Sequence, residues 1–156
     1  MKILIYGYGN PGRQDDGLGP KLVELFEKEK NMNVDMQSID LDSNYQLNIE
    51  DADNIKDYDL IIFADASKTC KEPLEINEIY PSNEIQFTTH SISPQSVLAI
   101  CDDIHDKQPK AFLLEIRGYD WEMLIESMSQ KAEDNLLIAY DELKKFIKDT
   151  LKKVHG

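Results

Sequence analysis

The chain has 156 residues, of which 41% are hydrophobic and 30% charged, a composition typical of one domain with a sizeable core. Its net charge of −13 repels a phosphate backbone, so nucleic acid is not an expected partner. No apolar run approaches the roughly 20 residues that span a bilayer, and the N-terminus does not resemble a signal peptide. We therefore expect a cytoplasmic protein without membrane insertion, in which residues 1–156 form a single domain.

Hydrophobic patterns predict strands and helices that alternate along the chain. A strand at residues 2–6 is followed by a helix at 18–30, a strand at 34–39, a short helix at 45–55 and a strand at 60–64. A strand at 75–80, an extended piece at 87–90, a helix at 93–103, a strand at 111–116 and a helix at 131–153 complete the chain. This order predicts a three-layer α/β/α sandwich with a mostly parallel twisted central sheet. The first and third strands should be neighbours, with the second strand outside the first.

A glycine-rich loop, GYGNPGRQDDGLG at residues 7–19, follows the first predicted strand. It matches the dinucleotide-binding pattern G-x-G-x-x-G at Gly7, Gly9 and Gly12. Because Asp40 lies near the end of the second predicted strand, where a ribose-binding acid would lie, dinucleotide binding is a real alternative. A pyrophosphate, however, needs bare amides at a helix N-terminus, where Asp15 and Asp16 would repel it. One acid suffices to cap the helix, so the other is expected to face the cleft.

A second acid and a histidine follow later elements. Asp65 comes directly after the apolar run LIIFA, and the predicted strand order brings it beside the glycine-rich loop. Carboxylates that meet there need a positive partner, for which Arg13, Lys68 or a divalent metal ion are the candidates. His90 lies between an extended segment and a helix start, where a side chain can project into a cleft. Two carboxylates and an imidazole suit a nickel- or zinc-class ion.

Three segments together resemble the nickel–iron hydrogenase maturation endopeptidases. They are KILIYGYGNPGRQDDGLGP at residues 2–20, LIIFADAS at 60–67 and TTHSISP at 88–94. Their order and spacing also fit, so the resemblance covers nearly the whole chain. By motif position it implies that Asp16, Asp65 and His90 bind the metal and form the catalytic site. The chain departs from the family at residues 40–47, DLDSNYQL, where other members often have a pair of glycines.

The resemblance implies an endopeptidase that cuts the C-terminal extension from a nickel–iron hydrogenase large-subunit precursor after nickel insertion. The precursor itself would supply the nickel, and zinc or cadmium could occupy the site in vitro. We expect Gly9 and Asn10 to offer amides to the substrate chain. Asp15 is expected mainly to cap the helix, and action as a base and a lesser role in substrate binding are the alternatives. Two alternatives remain open, a nucleotide- or dinucleotide-binding Rossmann-like protein and a non-proteolytic nickel chaperone with the same three ligands.

Overall fold

A mostly parallel sheet forms the centre of the protein, whose computed structural model describes residues 1–32, 38–82 and 92–155. In these residues the strands are β1 (Ile3–Tyr8), β2 (Ile39–Asn44), β3 (Leu60–Ser67), β4 (Leu74–Ile79) and β5 (Lys110–Arg117). The helices are α1 (Leu18–Met32), α2 (Asp51–Asn54), α3 (Pro94–His105) and α4 (Gln130–His155). The strands lie in the order β2-β1-β3-β5-β4, and β4 runs antiparallel to β5 at one edge.

Helices cover both faces of the sheet. Ile3 and Ile5 of β1 belong to a buried cluster that includes residues of α1 and α4. Leu4 and Tyr6 belong to a second buried cluster that includes residues of α2 and α3. Successive strand residues point to opposite faces, so β1 is apolar throughout rather than alternating. The three-layer α/β/α sandwich is therefore confirmed.

The predicted neighbours within the sheet are also confirmed. β1 pairs in parallel with β3 on one side and with β2 on the other. The start of α3 follows the expected signals, because the Ser93 hydroxyl accepts a hydrogen bond from the Ser96 amide at 3.1 Å and Pro94 occupies the first turn. Within the described part of the chain, no helix is both long and apolar enough to cross a membrane.

The second strand of the described residues lies later in the chain than predicted. β2 begins at Ile39, where the predicted strand was to end, and residues 33–37 lie outside the described part of the chain. Asp40 is therefore the second residue of β2, opposite Leu4, and does not lie at the strand end that a ribose-binding acid would need. The predicted extended piece at 87–90 also lies outside the described residues.

The helix predicted at residues 45–55 is shorter than expected, because only Asp51–Asn54 is helical. The Asp51 carboxylate accepts hydrogen bonds from the Asn48 amide at 2.8 Å and from the Tyr6 hydroxyl at 3.0 and 3.1 Å. A side chain that binds a preceding amide favours a turn over a continuing helix. Asp51 thus begins α2 and attaches it to the sheet.

Candidate functional site

The candidate site lies at the carboxyl ends of β1 and β3, where the predicted order of the strands placed it. Asp65 is part of β3, one residue beyond the Gly7–Ala64 pair that joins the two strands. Asp16 belongs to a 3₁₀ turn, Gln14–Gly17, that leads into α1. The start of α1 packs directly on this edge, because a Cβ atom at Gly19 would lie 2.4 Å from the Ala64 carbonyl oxygen.

Backbone amides of the glycine-rich loop donate hydrogen bonds to acceptors within the protein. The Gly9 amide donates to the Asn44 carbonyl at 3.0 Å, and the Asn10 amide donates to Oδ2 of Asp16 at 2.9 Å. The Gly12 amide donates to Oδ1 of Asn10 at 2.9 Å. The next four amides donate to carbonyl oxygens at 2.9 to 3.2 Å, and the donors are Arg13, Gln14, Asp15 and Asp16.

A phosphate-binding loop needs backbone amides that point outward without partners. The amides of residues 9–10 and 12–16 all have internal partners, and Pro11 has no amide hydrogen. These seven amides are therefore not free to bind a pyrophosphate, as the dinucleotide alternative would require. That Gly9 and Asn10 contact a substrate stays a prediction, although both amides have partners within the protein in this structure.

Gly9 shapes the position of Asp16. Its φ of +141° lies in the region that favours glycine, and a Cβ atom there would lie 2.0 Å from the Asp16 carbonyl oxygen. This close approach brings the backbone of residues 9–10 onto Asp16, where the Asn10 amide binds the carboxylate. One carboxylate oxygen of Asp16 is held by the loop, and the side chain remains partly exposed.

Asp15 has a different role from the helix cap that was expected. Its side chain is fully buried, and its carboxylate accepts hydrogen bonds from the Tyr119 amide at 2.7 Å and the Asp120 amide at 2.9 Å. The amide and hydroxyl of Ser129 donate to it at 2.8 and 2.7 Å. Burial opposes its ionisation, but these hydrogen bonds outweigh burial and lower the pKa of Asp15. The cap interpretation is wrong, because Asp15 instead attaches the loop of residues 118–129 to the site.

Asp65 has an environment that is unfavourable for a negative charge. The pKa of Asp65 is raised to about 7, mainly by burial and further by the charges of Asp16 and Glu115. Hydrogen bonds from the Ala66 amide and the Tyr8 hydroxyl act in the opposite direction. The charge of Asp16 thus acts on Asp65. That the two carboxylates share one metal ion stays a prediction. Two such carboxylates are stabilised by a cation between them.

The cationic side chains considered from the sequence make their contacts elsewhere. Nε of Arg13 donates to the Trp121 carbonyl at 2.9 Å, and Nζ of Lys68 lies 5.2 Å from the centre of the Trp121 ring. Oxygen ligands from two carboxylates fit a divalent ion, and a third ligand would complete a catalytic site with open positions. His90, the predicted third ligand, lies outside the described residues. In residues 1–32, 38–82 and 92–155, no three acidic, histidine or cysteine side chains are grouped as a metal site.

Two residues near Asp65 were not predicted from the sequence, Tyr8 and Glu115. Glu115 of β5 lies directly opposite Asp65 of β3, and Tyr8 is the last residue of β1. Neither position stands out in a pattern of catalytic residue types. The signal that could have found Tyr8 is strand alternation, because residues 6 and 8 share one face of β1.

The chain has a mostly parallel α/β fold, a class in which ligands commonly bind at the carboxyl edge of the sheet, where Asp16 and Asp65 lie. Solved hydrogenase maturation proteases share this fold. The hydrogenase maturating endopeptidase HybD from E. coli aligns over 96% of this chain and 94% of its own, with a TM-score of 0.72 and 19% identity. The [NiFe] hydrogenase maturation protease HycI from Thermococcus kodakarensis KOD1 aligns over 94% and 92%, with a TM-score of 0.72 and 18% identity.

A hydrogenase 2 maturation peptidase from a thaumarchaeote also shares the fold. It aligns over 94% of this chain and 98% of its own, with a TM-score of 0.65 and 18% identity. No protein-family model matches the sequence, and no curated protein sequence matches it. The chain therefore has the fold of the hydrogenase maturation endopeptidases, over nearly the full length of both proteins.

Proposed function

We propose that the protein is a hydrogenase maturation endopeptidase, which removes the C-terminal extension of a nickel–iron hydrogenase large-subunit precursor after nickel insertion. The observation that carries the proposal is the position of Asp16 and Asp65 at the carboxyl ends of the neighbouring strands β1 and β3, in a chain with this fold. Asp16, Asp65 and His90 would engage the nickel that the precursor brings. The site would thus recognise a precursor by whether its metal has been inserted.

The chemistry of the two carboxylates supports this proposal. Burial raises the pKa of Asp65, and Asp16 raises it further, so a divalent ion relieves an unfavourable pair of charges. A metal ion held there can polarise the scissile carbonyl and activate a water molecule for attack. Zinc or cadmium, which accept similar ligands, would occupy the site in a purified sample.

Incubation with nickel-loaded large-subunit precursor tests the proposal. We expect intact mass spectrometry to show loss of a C-terminal peptide from the precursor with the wild-type protein. Asp16→Asn, Asp65→Asn and His90→Ala should each lower the rate by about 100-fold or more, since each removes a metal ligand. Precursor without nickel should remain intact.

Matched controls come from the same residue types away from the site. His105, at the last turn of α3, contacts Asp53 at 3.1 Å, and Asp134 on α4 binds Gln130 at 3.0 Å. His105→Ala and Asp134→Asn should cleave at the wild-type rate. Nickel-loaded precursor that stays intact with the wild-type protein would overturn the proposal. If nickel nevertheless moved between the two proteins, a non-proteolytic nickel chaperone would be the function that explains the result.

A further inference from the structure

The pairing of the strands places three polar side chains in one row across the sheet. Gly7 of β1 pairs with Ala64 of β3, so the next residues along, Tyr8 and Asp65, lie side by side. On the other side, Asp65 pairs with Glu115 of β5. Laterally adjacent residues of a parallel sheet project to the same face. Tyr8, Asp65 and Glu115 therefore share one face of the sheet, with Asp65 in the middle.

Asp65 thus has two lateral neighbours, which have opposite effects on its negative charge. Glu115 is an acid whose charge raises the pKa of Asp65. Tyr8, on its other side, is neutral, and interaction of its hydroxyl with the Asp65 carboxylate favours the ionised form of Asp65. The Tyr8 ring packs against the buried cluster that includes residues of α2 and α3, which limits its movement. Tyr8 can therefore present its hydroxyl to Asp65 from a fixed position.

We propose that Tyr8 is a positioning residue, which donates a hydrogen bond to one oxygen of Asp65 and leaves the other to bind the metal ion. This inference rests on the proposed function, because it assigns Tyr8 to the same metal site. Carboxylate ligands are commonly oriented by such hydrogen bonds, and loss of the partner costs metal affinity. Without the hydroxyl, repulsion from Glu115 and Asp16 is free to turn the Asp65 side chain away from the site.

Tyr6 offers a matched control for Tyr8. It lies two residues earlier on the same strand and face, is buried, and donates its hydroxyl to Asp51 rather than to a residue of the site. Tyr6→Phe and Tyr8→Phe each remove one hydroxyl from the same face of β1. The first change tests a structural hydrogen bond, and the second tests the bond to the candidate metal ligand.

The experiment measures Zn²⁺ affinity by isothermal titration calorimetry, cleavage of the nickel-loaded precursor, and the melting temperature. Tyr8→Phe should weaken Zn²⁺ binding by about tenfold or more and lower kcat/KM for the precursor. Tyr6→Phe should lower the melting temperature yet keep Zn²⁺ affinity within about twofold, because it is independent of the site. In an Asp65→Asn background, Tyr8→Phe should have little further effect on Zn²⁺ affinity, since it acts through Asp65.

The inference is overturned if Tyr8→Phe binds Zn²⁺ as the wild-type protein does, or if its effect is undiminished in the Asp65→Asn background. Either result with an active wild-type protein leaves the proposed function standing. A wild-type protein that neither cleaves the precursor nor binds Zn²⁺ would overturn the proposed function and the role of Tyr8 with it.

Discussion

Replacement of Asp15 tests the claim that this acid attaches the loop of residues 118–129 to the site. Its carboxylate accepts four hydrogen bonds, from the amides of Tyr119, Asp120 and Ser129 and from the Ser129 hydroxyl. Asp15→Ala leaves these donors without their acceptor, at about 1–3 kcal/mol for each that stays buried. Water can reach some of them once the carboxylate is gone, so we expect a total loss of about 3–5 kcal/mol in the free energy of unfolding.

Asp15→Asn is the sharper variant because it keeps the shape of the side chain. Its amide oxygen can replace Oδ2, which accepts three of the four bonds, but its amino group then meets the Ser129 amide donor. Neutral hydrogen bonds are about half as strong as those to a carboxylate, so we expect a loss of about 2–3 kcal/mol. For a chain of this length, that corresponds to a fall in melting temperature of about 4–12 °C.

Urea unfolding followed by circular dichroism measures both Asp15 variants against Asp120→Asn. Asp120 belongs to the same loop, but its side chain is exposed, so its substitution should change stability by no more than about 0.5 kcal/mol. If Asp15→Asn is as stable as Asp120→Asn, the four bonds do not hold the 118–129 loop and the role assigned to Asp15 is refuted.

Two further predictions concern the glycine-rich loop. Gly9→Ala should destabilise the protein by about 2–4 kcal/mol, because a Cβ atom there would lie 2.0 Å from the Asp16 carbonyl oxygen at a φ of +141°. Gly12→Ala, whose nearest contact would be the Asn10 side chain at 3.2 Å, is the control and should be milder in the same thermal denaturation assay. NAD, NADP or ATP should not raise the melting temperature, although a ligand at about 100 times its Kd would add about 2.7 kcal/mol of stability. A clear rise with any of them would contradict the conclusion that the loop amides are already occupied.

Much of the fold could be predicted from local sequence because most elements have strong hydrophobic patterns. β1 and β3 are apolar runs buried on both faces, and Ser93 and Pro94 are clear signals for a helix start. The second strand could not be placed, because β2 has the sequence IDLDSN, in which only Ile39 is buried. An outer strand of this kind is stabilised by pairing with β1 rather than by its own apolar residues, so its pattern is weak.

The candidate site could be predicted only where strand topology determines it. The position of Asp65 after a buried strand, beside a loop that follows the neighbouring strand, was enough to bring it near Asp16. Hydrogen bonds between distant segments were beyond prediction, because the Asp15 carboxylate binds amides that are 104 to 114 residues away in sequence. For the same reason the loop amides looked free in the sequence, although several of them donate to residues of other segments.

The geometry of the turn explains why two adjacent acids have separate roles. Asp15 and Asp16 belong to a 3₁₀ turn, in which successive side chains point about 120° apart. When Asp15 faces the loop of residues 118–129, Asp16 must point elsewhere, and it lies against Gly9 and the Asn10 amide, on the side of Asp65. Both carboxylate oxygens of Asp15 accept hydrogen bonds from this loop, so Asp15 is not free to face a metal ion as well. Substitutions of the two acids should therefore have different effects. Substitution of Asp15 should lower the stability of the protein, and substitution of Asp16 should weaken metal binding.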